Sequence, residues 1–323
     1  MAQKKVYFYA VHLYDGDNEE NYSAIKDILV EIIDHHSKDK SGYKTLDITP
    51  FDQVMHSVFD IFEYENNYIF GRLSKQHPSN SYLSRDYTTY DGNEIFPANE
   101  NNSGIENYTF AYMDYSIGVL GIVSAMGAPG EKAFVDLFEK YSKQHSIKLV
   151  SIPNEKAIQE IYDGQKPDIA KLEIEVPLPS AEVLRNIFGW RENEVIDAFE
   201  KESLVASVIV KSERRGGKIV RGSKSTRTLM DAVGSIRDNC RKAKMKAESE
   251  SVKMQEFNLF DNKFSYPIDI VNYHISDGER VYYSINEMVE HYKQNLSQSF
   301  NANFRMLTRI ANRERIGEKG CDS

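Results

Sequence analysis

Three times along this chain, two runs of β-branched and aromatic residues flank a short polar turn. That pattern restricts the fold more than any other feature. Val54–Tyr64 and Tyr68–Leu73 flank Glu65-Asn66-Asn67, and Tyr108–Met113 and Ile117–Ser124 flank Asp114-Tyr115-Ser116. Ile268–Ile275 and Arg280–Tyr283 flank Ser276-Asp277-Gly278-Glu279. Turn formers between strand formers predict hairpins, hence antiparallel sheets. Further strands are expected at Lys5–Tyr14, Tyr43–Ile48, Ile147–Ile152 and Leu204–Val210. Within Ala170–Val176, the run Leu172-Glu173-Ile174-Glu175-Val176 alternates apolar and charged residues, as a half-exposed strand does.

Helical spacing alternates with these strands. Ile25, Ile28, Leu29, Ile32 and Ile33 predict a helix over 21–36. Gly127-Ala128-Pro129-Gly130 leads into a helix through Gln144, with Phe134, Leu137, Phe138 and Tyr141 on its core side. Shorter helices are expected at Glu155–Tyr162, 180–188 and 192–201, and terminal ones near 284–296 and 299–315. Leu229, Val233, Ile236 and Cys240 predict one more over Ser225–Ala247. No internal repeat is found. The expected class is α+β, mostly antiparallel sheets with packed helices in two domains. Asp163-Gly164-Gln165-Lys166-Pro167 marks the boundary. An N-terminal domain, 1–165, would carry a Tyr-rich loop at 74–105; a C-terminal domain, 166–323, would carry a basic segment and the terminal helices.

The 323 residues suit two domains of about 150 each. With only Cys240 and Cys321, neither a disulfide framework nor a four-cysteine zinc site is implied. The start, Met1-Ala2-Gln3-Lys4-Lys5, lacks a signal peptide's apolar core. The most apolar window, Ile117–Ala128, is twelve residues, short of the ~20 that span a bilayer. A cytoplasmic protein is expected.

A formal net charge of −9 argues against nucleic acid as a partner until it is resolved along the chain. Residues 211–246 hold twelve Lys or Arg against three Asp or Glu, a net of +9, which leaves −18 elsewhere. The cations are Lys211, Arg214, Arg215, Lys218, Arg221, Lys224, Arg227, Arg237, Arg241 and Lys242, followed by Lys244 and Lys246. Glycines 216, 217 and 222 allow close backbone approach to phosphate, and Ser225 or Thr226 would cap the following helix. Two readings stand. The segment binds a polyanion, the preferred one, or its cations pair with acidic surface elsewhere. From Glu200 to Glu256 there is no aromatic residue, so the patch favours duplex phosphate over stacked bases. Arg305, Arg309 and Arg313, spaced by four, form a second cationic stripe opposite Phe304, Leu307 and Ala311. Tyr82, Tyr87 and Tyr90, with Arg72 and Arg85 nearby, either stack on bases or close their loop over the core, the latter preferred.

Catalytic motifs fare less well. Asp34-His35-His36 resembles a phosphoesterase metal motif, with Asp15 and Asp17 as possible carboxylates, but the further strand-end ligands are lacking. A restriction-type nuclease pairs an acid with Asp/Glu-x-Lys to hold magnesium. Asp168 precedes Glu173-Ile174-Glu175, which lacks the lysine, and Asp261-Asn262-Lys263 lacks the preceding acid. There is no Walker A sequence and no Gly-x-Gly-x-x-Gly after a strand. No catalytic residue, metal or cofactor is implied.

From Phe110 to Gly189 the order of features resembles the RexA-like phage-exclusion (abortive infection) proteins. It comprises the Phe110–Ser124 hairpin, the turn at 127–130, the helix 131–144 and the strand Ile147–Ile152. Then follow Leu172–Val176, Leu178-Pro179 and Leu184-Arg185-Asn186-Ile187-Phe188-Gly189. The resemblance implies a non-catalytic antiviral-defence protein: a two-domain homodimer that binds double-stranded DNA without sequence preference and signals to a small membrane partner protein. It carries over no individual functional residue, and the longer N-terminal region with loop 74–105 departs from it. The alternative is a metal-dependent nuclease or phosphoesterase in the same defence setting.

Overall fold

The aromatic run near the N-terminus becomes a 14-residue strand that organises the larger sheet. The structure, a computed structural model, describes residues 2–64, 66–77, 83–85, 92–95, 104–162, 167–177, 205–214, 216–222, 224–229, 242–250, 252–276 and 278–318. In chain order the first strands are β1 (Ala2–Asp15), β2 (Asn18–Glu20), β3 (Lys38–Lys40), β4 (Tyr43–Asp47), β5 (Ser57–Glu63), β6 (Tyr68–Gln76), β7 (Leu83–Arg85) and β8 (Gly92–Glu94). They continue as β9 (Glu106–Asp114), β10 (Val119–Val123), β11 (His145–Ser151), β12 (Asp168–Pro177), β13 (Val205–Lys211) and β14 (Val220–Arg221). The last are β15 (Lys242–Glu248), β16 (Gln255–Asn258), β17 (Ser265–Ile270), β18 (Tyr273–Ser276) and β19 (Glu279–Tyr282). Among the described residues the longer helices are α1 (Ile25–His36), α2 (Lys132–Tyr141), α3 (Asn154–Tyr162) and α4 (Ile285–Glu318), and a short helix covers 224–229. The α+β class with mostly antiparallel strands is as expected.

Packing divides the chain into two compact units. The first comprises 1–151, 267–301 and 307–323, and the second comprises 152–266 and 302–306.

In the first unit a ten-stranded sheet runs β11-β1-β10-β9-β6-β5-β4-β3, with β2 and β17 also paired to β1. Tyr9, Val11 and Leu13 of β1 face one cluster with Ile25, Leu29, Ile32 and Ile33 of α1 and Phe134, Leu137 and Phe138 of α2. On the other face Phe300 of α4 meets Phe8 at 5.3 Å and Tyr112 at 4.8 Å, and Tyr292 stacks on Phe110 at 4.2 Å. With both faces covered, β1 is apolar at consecutive positions instead of alternating. Gly121 lies beneath Phe300, whose ring would sit 2.6 Å from an added Cβ. Gly121→Val is therefore expected to overpack this face and cost about 1–3 kcal/mol, read as a lower urea midpoint at unchanged m-value.

The predicted β5–β6 and β9–β10 strand pairs form, and β18 pairs β19 as the third hairpin requires. The strand expected at Ile268–Ile275 is instead β17 and β18, separated at Val271-Asn272. Within the expected loop 74–105, β7 pairs β8, and Tyr82, Tyr87 and Tyr90 lie outside the described residues. α2 stops at Tyr141 and not Gln144, because Ser142 turns extended. The two terminal helices expected from sequence are one helix, α4. Asn295-Leu296-Ser297-Gln298-Ser299 contains neither Gly nor Pro to break it. At its start Ser284 and Glu287 form a capping box: the Glu287 carboxylate accepts from the Ser284 amide at 2.7 Å, and Ser284 Oγ accepts from the Glu287 amide at 3.3 Å.

The second unit centres on β12, in a sheet ordered β13-β12-β15-β16 with β14 also on β12. Leu172, Ala243, Met245, Ala247 and Phe257 are buried. Here the structure corrects the helix expected over Ser225–Ala247: helix covers 224–229, and Lys242–Glu248 is strand β15. The sequence Lys242-Ala243-Lys244-Met245-Lys246-Ala247 alternates lysine with apolar residues, and the apolar set faces inward. Period two, not 3.6, decides that stretch. Val233, Ile236 and Cys240, and the helices expected at 180–188 and 192–201, lie outside the described residues.

Candidate nucleic-acid interface

The cations of the basic segment fall into two structural groups. On the face of the second unit's sheet opposite Leu172 and Met245, register places Lys171 against Lys246, Glu173 against Lys244 and Glu175 against Lys242. Lys242 Nζ bonds Glu175 at 2.6 Å and Glu173 at 3.0 Å, Lys171 bonds Glu173 at 2.7 Å, and Lys244 bonds Glu256 at 2.6 Å. Lys171 and then Lys242 donate to Glu173, which holds its carboxyl at about 2, so it remains charged at ordinary pH. Lys218 likewise pairs with Glu248. Cations counted in sequence as a positive surface are, at Lys218, Lys242 and Lys244, partners of carboxylates within the same unit.

The second group runs from the end of β13, across the loop that leaves it, to the start of the helix at 224–229. Lys211, Arg214, Arg221 and Lys224 are exposed and carry no ion pair among the described residues. The loop's course follows from local chemistry. Arg214 donates its amide to Ser212 Oγ, and its carbonyl accepts from Gly217, closing a turn. Gly216 and Gly222 hold φ of +73° and +82°, conformations open to glycine. Ile219 and Gly222 then tie the chain to the carbonyls of Ile169 and Pro167 at 2.8 Å each, and β14 pairs Arg221 with Asp168. The arginines and lysines are thus carried on a loop anchored at both ends.

Thr226, expected as a helix cap, is fully buried and turns its hydroxyl toward the Pro167 carbonyl at 3.4 Å. That removes it from an anion-binding cap. Arg227 is exposed and holds an interaction within the protein; Arg215, Arg237 and Arg241 lie outside the described residues.

Arg305, Arg309 and Arg313 are exposed on α4, and the last two hold interactions of their own. The apolar set opposite them needs correction: Leu307 and Ala311 are buried, but Phe304 is 41% exposed, and Met306 and Ile310 take its place. Two residues beyond that stripe, Arg315 escaped the sequence reading because nothing in its spacing marks it. Its guanidinium donates to the carbonyls of Val11 at 3.2 Å, Ile117 at 2.9 Å and Gly118 at 2.6 Å, and lies over the Tyr22 ring at 3.8 Å.

Arg72 is not free to meet bases. It grips the buried Asp60 through two nitrogens, at 2.6 and 3.1 Å, while Thr45 donates to the same carboxylate. Arg85 is described and exposed in β7.

The catalytic candidates do not assemble as their motifs would require. Asp34 accepts from Lys44 at 2.9 Å and Tyr64 at 3.1 Å, His35 Nδ1 lies 2.8 Å from the Glu31 carbonyl, and His36 stacks on Tyr141. Asp15 turns elsewhere, gathering with Glu20 and His145 so that their ligand atoms lie within 4.8 Å of one another. Asp17 is exposed. Glu173 and Glu175 accept from lysines, and Asp261 accepts from the Asn258 amide at 2.8 Å. In sequence comparison no protein-family model matches the chain, and no curated protein matches it significantly. No helix among the described residues is long and apolar enough to cross a membrane.

Proposed function

We propose that this chain binds double-stranded DNA without sequence preference through the loop 211–224, as a non-catalytic component of phage exclusion. The observation that carries the reading is the exposure of Lys211, Arg214, Arg221 and Lys224 on an anchored loop, without carboxylate partners among the described residues. Phosphate neutralisation by such groups releases condensed counterions. The acidity of the remaining chain restricts the contact to this loop, because screening at physiological salt confines exposed charges to about 8 Å. The phage-exclusion setting rests on the resemblance to RexA-like proteins, as does a partner protein in the membrane.

The test is a gel-shift titration of duplex DNA across salt. Four phosphate contacts give a slope of log K on log salt of about −3 to −4, with unrelated duplexes bound alike. A flat slope, or no shift at low salt, rejects the reading.

The same reading includes a homodimer. β13 is an edge strand among the described residues, and it leaves Val208, Ile209 and Val210 about half exposed. The edge's one charge, Lys211, stands at its last residue, so the apolar run 208–210 is left open to pairing with a second copy. Ile209→Lys is expected to convert dimer to monomer in sedimentation velocity at micromolar concentration, and a wild-type chain that is already monomeric there removes this part.

A further inference from the structure

We propose that a tyrosine-lined cleft in the first unit binds a nucleobase, at a site separate in residues and chemistry from the basic loop. The cleft has a volume of about 590 Å³ and is lined by Tyr108, Tyr282, Tyr283 and Tyr292 with Lys4, Asn107, Asn272, Met126 and Met288 among its neighbours. That volume falls within the range of small-ligand sites, roughly 300–1,000 Å³.

Its construction follows from the sheet and from β18–β19. Tyr292 is buried against Phe110 and forms the floor, with Lys4 Nζ 5.6 Å from its ring centre. Tyr108 stands beside it, held edge-on to Phe110 and contacted by Arg72, yet it is 39% exposed. Tyr282, at the end of β19, is 71% exposed, and Met126 is 99% exposed. Large apolar groups gathered around one concavity and left in water mark a recognition surface more than a core.

The polar groups narrow the ligand. Among the described residues neither the Asn107 nor the Asn272 side-chain amide has a hydrogen-bond partner. Each offers a donor and an acceptor side by side, the complement of a base edge such as that of adenine. Lys4 and Glu106, both on the lining, offset each other in charge, which suits a neutral ring better than an isolated phosphate. Exposed tyrosines supply stacking faces that tolerate any base. The segment 200–256, which has no aromatic residue, supplies none.

The experiment is calorimetric titration of the full chain with adenosine and, separately, with a four-residue oligodeoxyadenylate. Adenosine carries no phosphate, so its binding is independent of the basic loop and of the duplex assay above. Saturable binding at millimolar adenosine is expected if free nucleosides are the source of the base. Binding of the oligonucleotide alone is expected if the source is a single strand. In either case Tyr282→Ala should weaken binding about tenfold, Tyr282→Phe should retain it, and Asn107→Ala should weaken it about fivefold. Tyr282 is 71% exposed, so its replacement is expected to leave the melting curve unchanged, a measurement that separates lost binding from lost folding. Binding of neither ligand, or binding indifferent to both alanine variants, overturns the proposal.

Discussion

Arg315→Ala is expected to lower the stability of the chain by about 3–5 kcal/mol, a large effect for one residue in the last turns of a terminal helix. The guanidinium satisfies three backbone carbonyls, of Val11, Ile117 and Gly118, and covers the Tyr22 ring. The Gly118 carbonyl also accepts from the Val11 amide at 2.9 Å, so the side chain joins β1 to the turn before β10. Alanine removes every donor at once and leaves carbonyls in a half-buried site short of partners. Lysine restores a charge but not the planar fork that reaches several acceptors together, so Arg315→Lys should recover less than half of the loss. Gly118 shares the site: its φ is +57°, and an added Cβ would sit 2.5 Å from both the Arg315 guanidinium and the Tyr22 ring. Gly118→Ala is therefore expected to destabilise too, and to do so less once Arg315 is already alanine. A urea-denaturation double-mutant cycle measures that coupling. Equal effects of Gly118→Ala in both backgrounds would mean that the two residues act separately.

What could be read from sequence divides along the range of the interactions. Hairpins were legible because a turn and its two strands are neighbours in the chain, as Glu65-Asn66-Asn67 is to β5 and β6. The stripe on α1 was legible for the same reason, its four buried residues recurring every three or four positions. Lys242–Glu248 misled because Leu229 to Cys240 set a helical rhythm just before it, and the lysine alternation was absorbed into that rhythm. The site suffered most from range. Glu173 and Glu175 looked like a nuclease triplet without its lysine; the lysine, Lys242, comes from a strand nearly seventy residues away and neutralises them. A charge count along the chain has no access to that register, so it could not separate the paired lysines from the loop cations. Arg315 was invisible because its partners are backbone carbonyls, which carry no sequence signature.

That separation predicts which charges matter for DNA. Replacing Arg214, Arg221 and Lys224 together by alanine removes three cations that have no carboxylate partners among the described residues. If each meets a phosphate, the salt slope should fall in magnitude by about 2.7, and affinity at 0.1 M salt should drop on the order of 10²–10³-fold. The control must keep net charge fixed, since deleting a paired lysine alone would also free a carboxylate. Lys244→Gln with Glu256→Gln deletes both members of a 2.6 Å ion pair and leaves the total charge unchanged. Surface pairs of this kind contribute about 0–1 kcal/mol to stability, so the double variant should fold. It should hold DNA within about twofold of the parent, with the same slope, because Lys244 already has its counter-charge. Were the loop triple and the neutral pair to weaken binding equally, DNA would be contacting the sheet face instead of the loop, and the division between paired and unpaired cations would have no bearing on recognition.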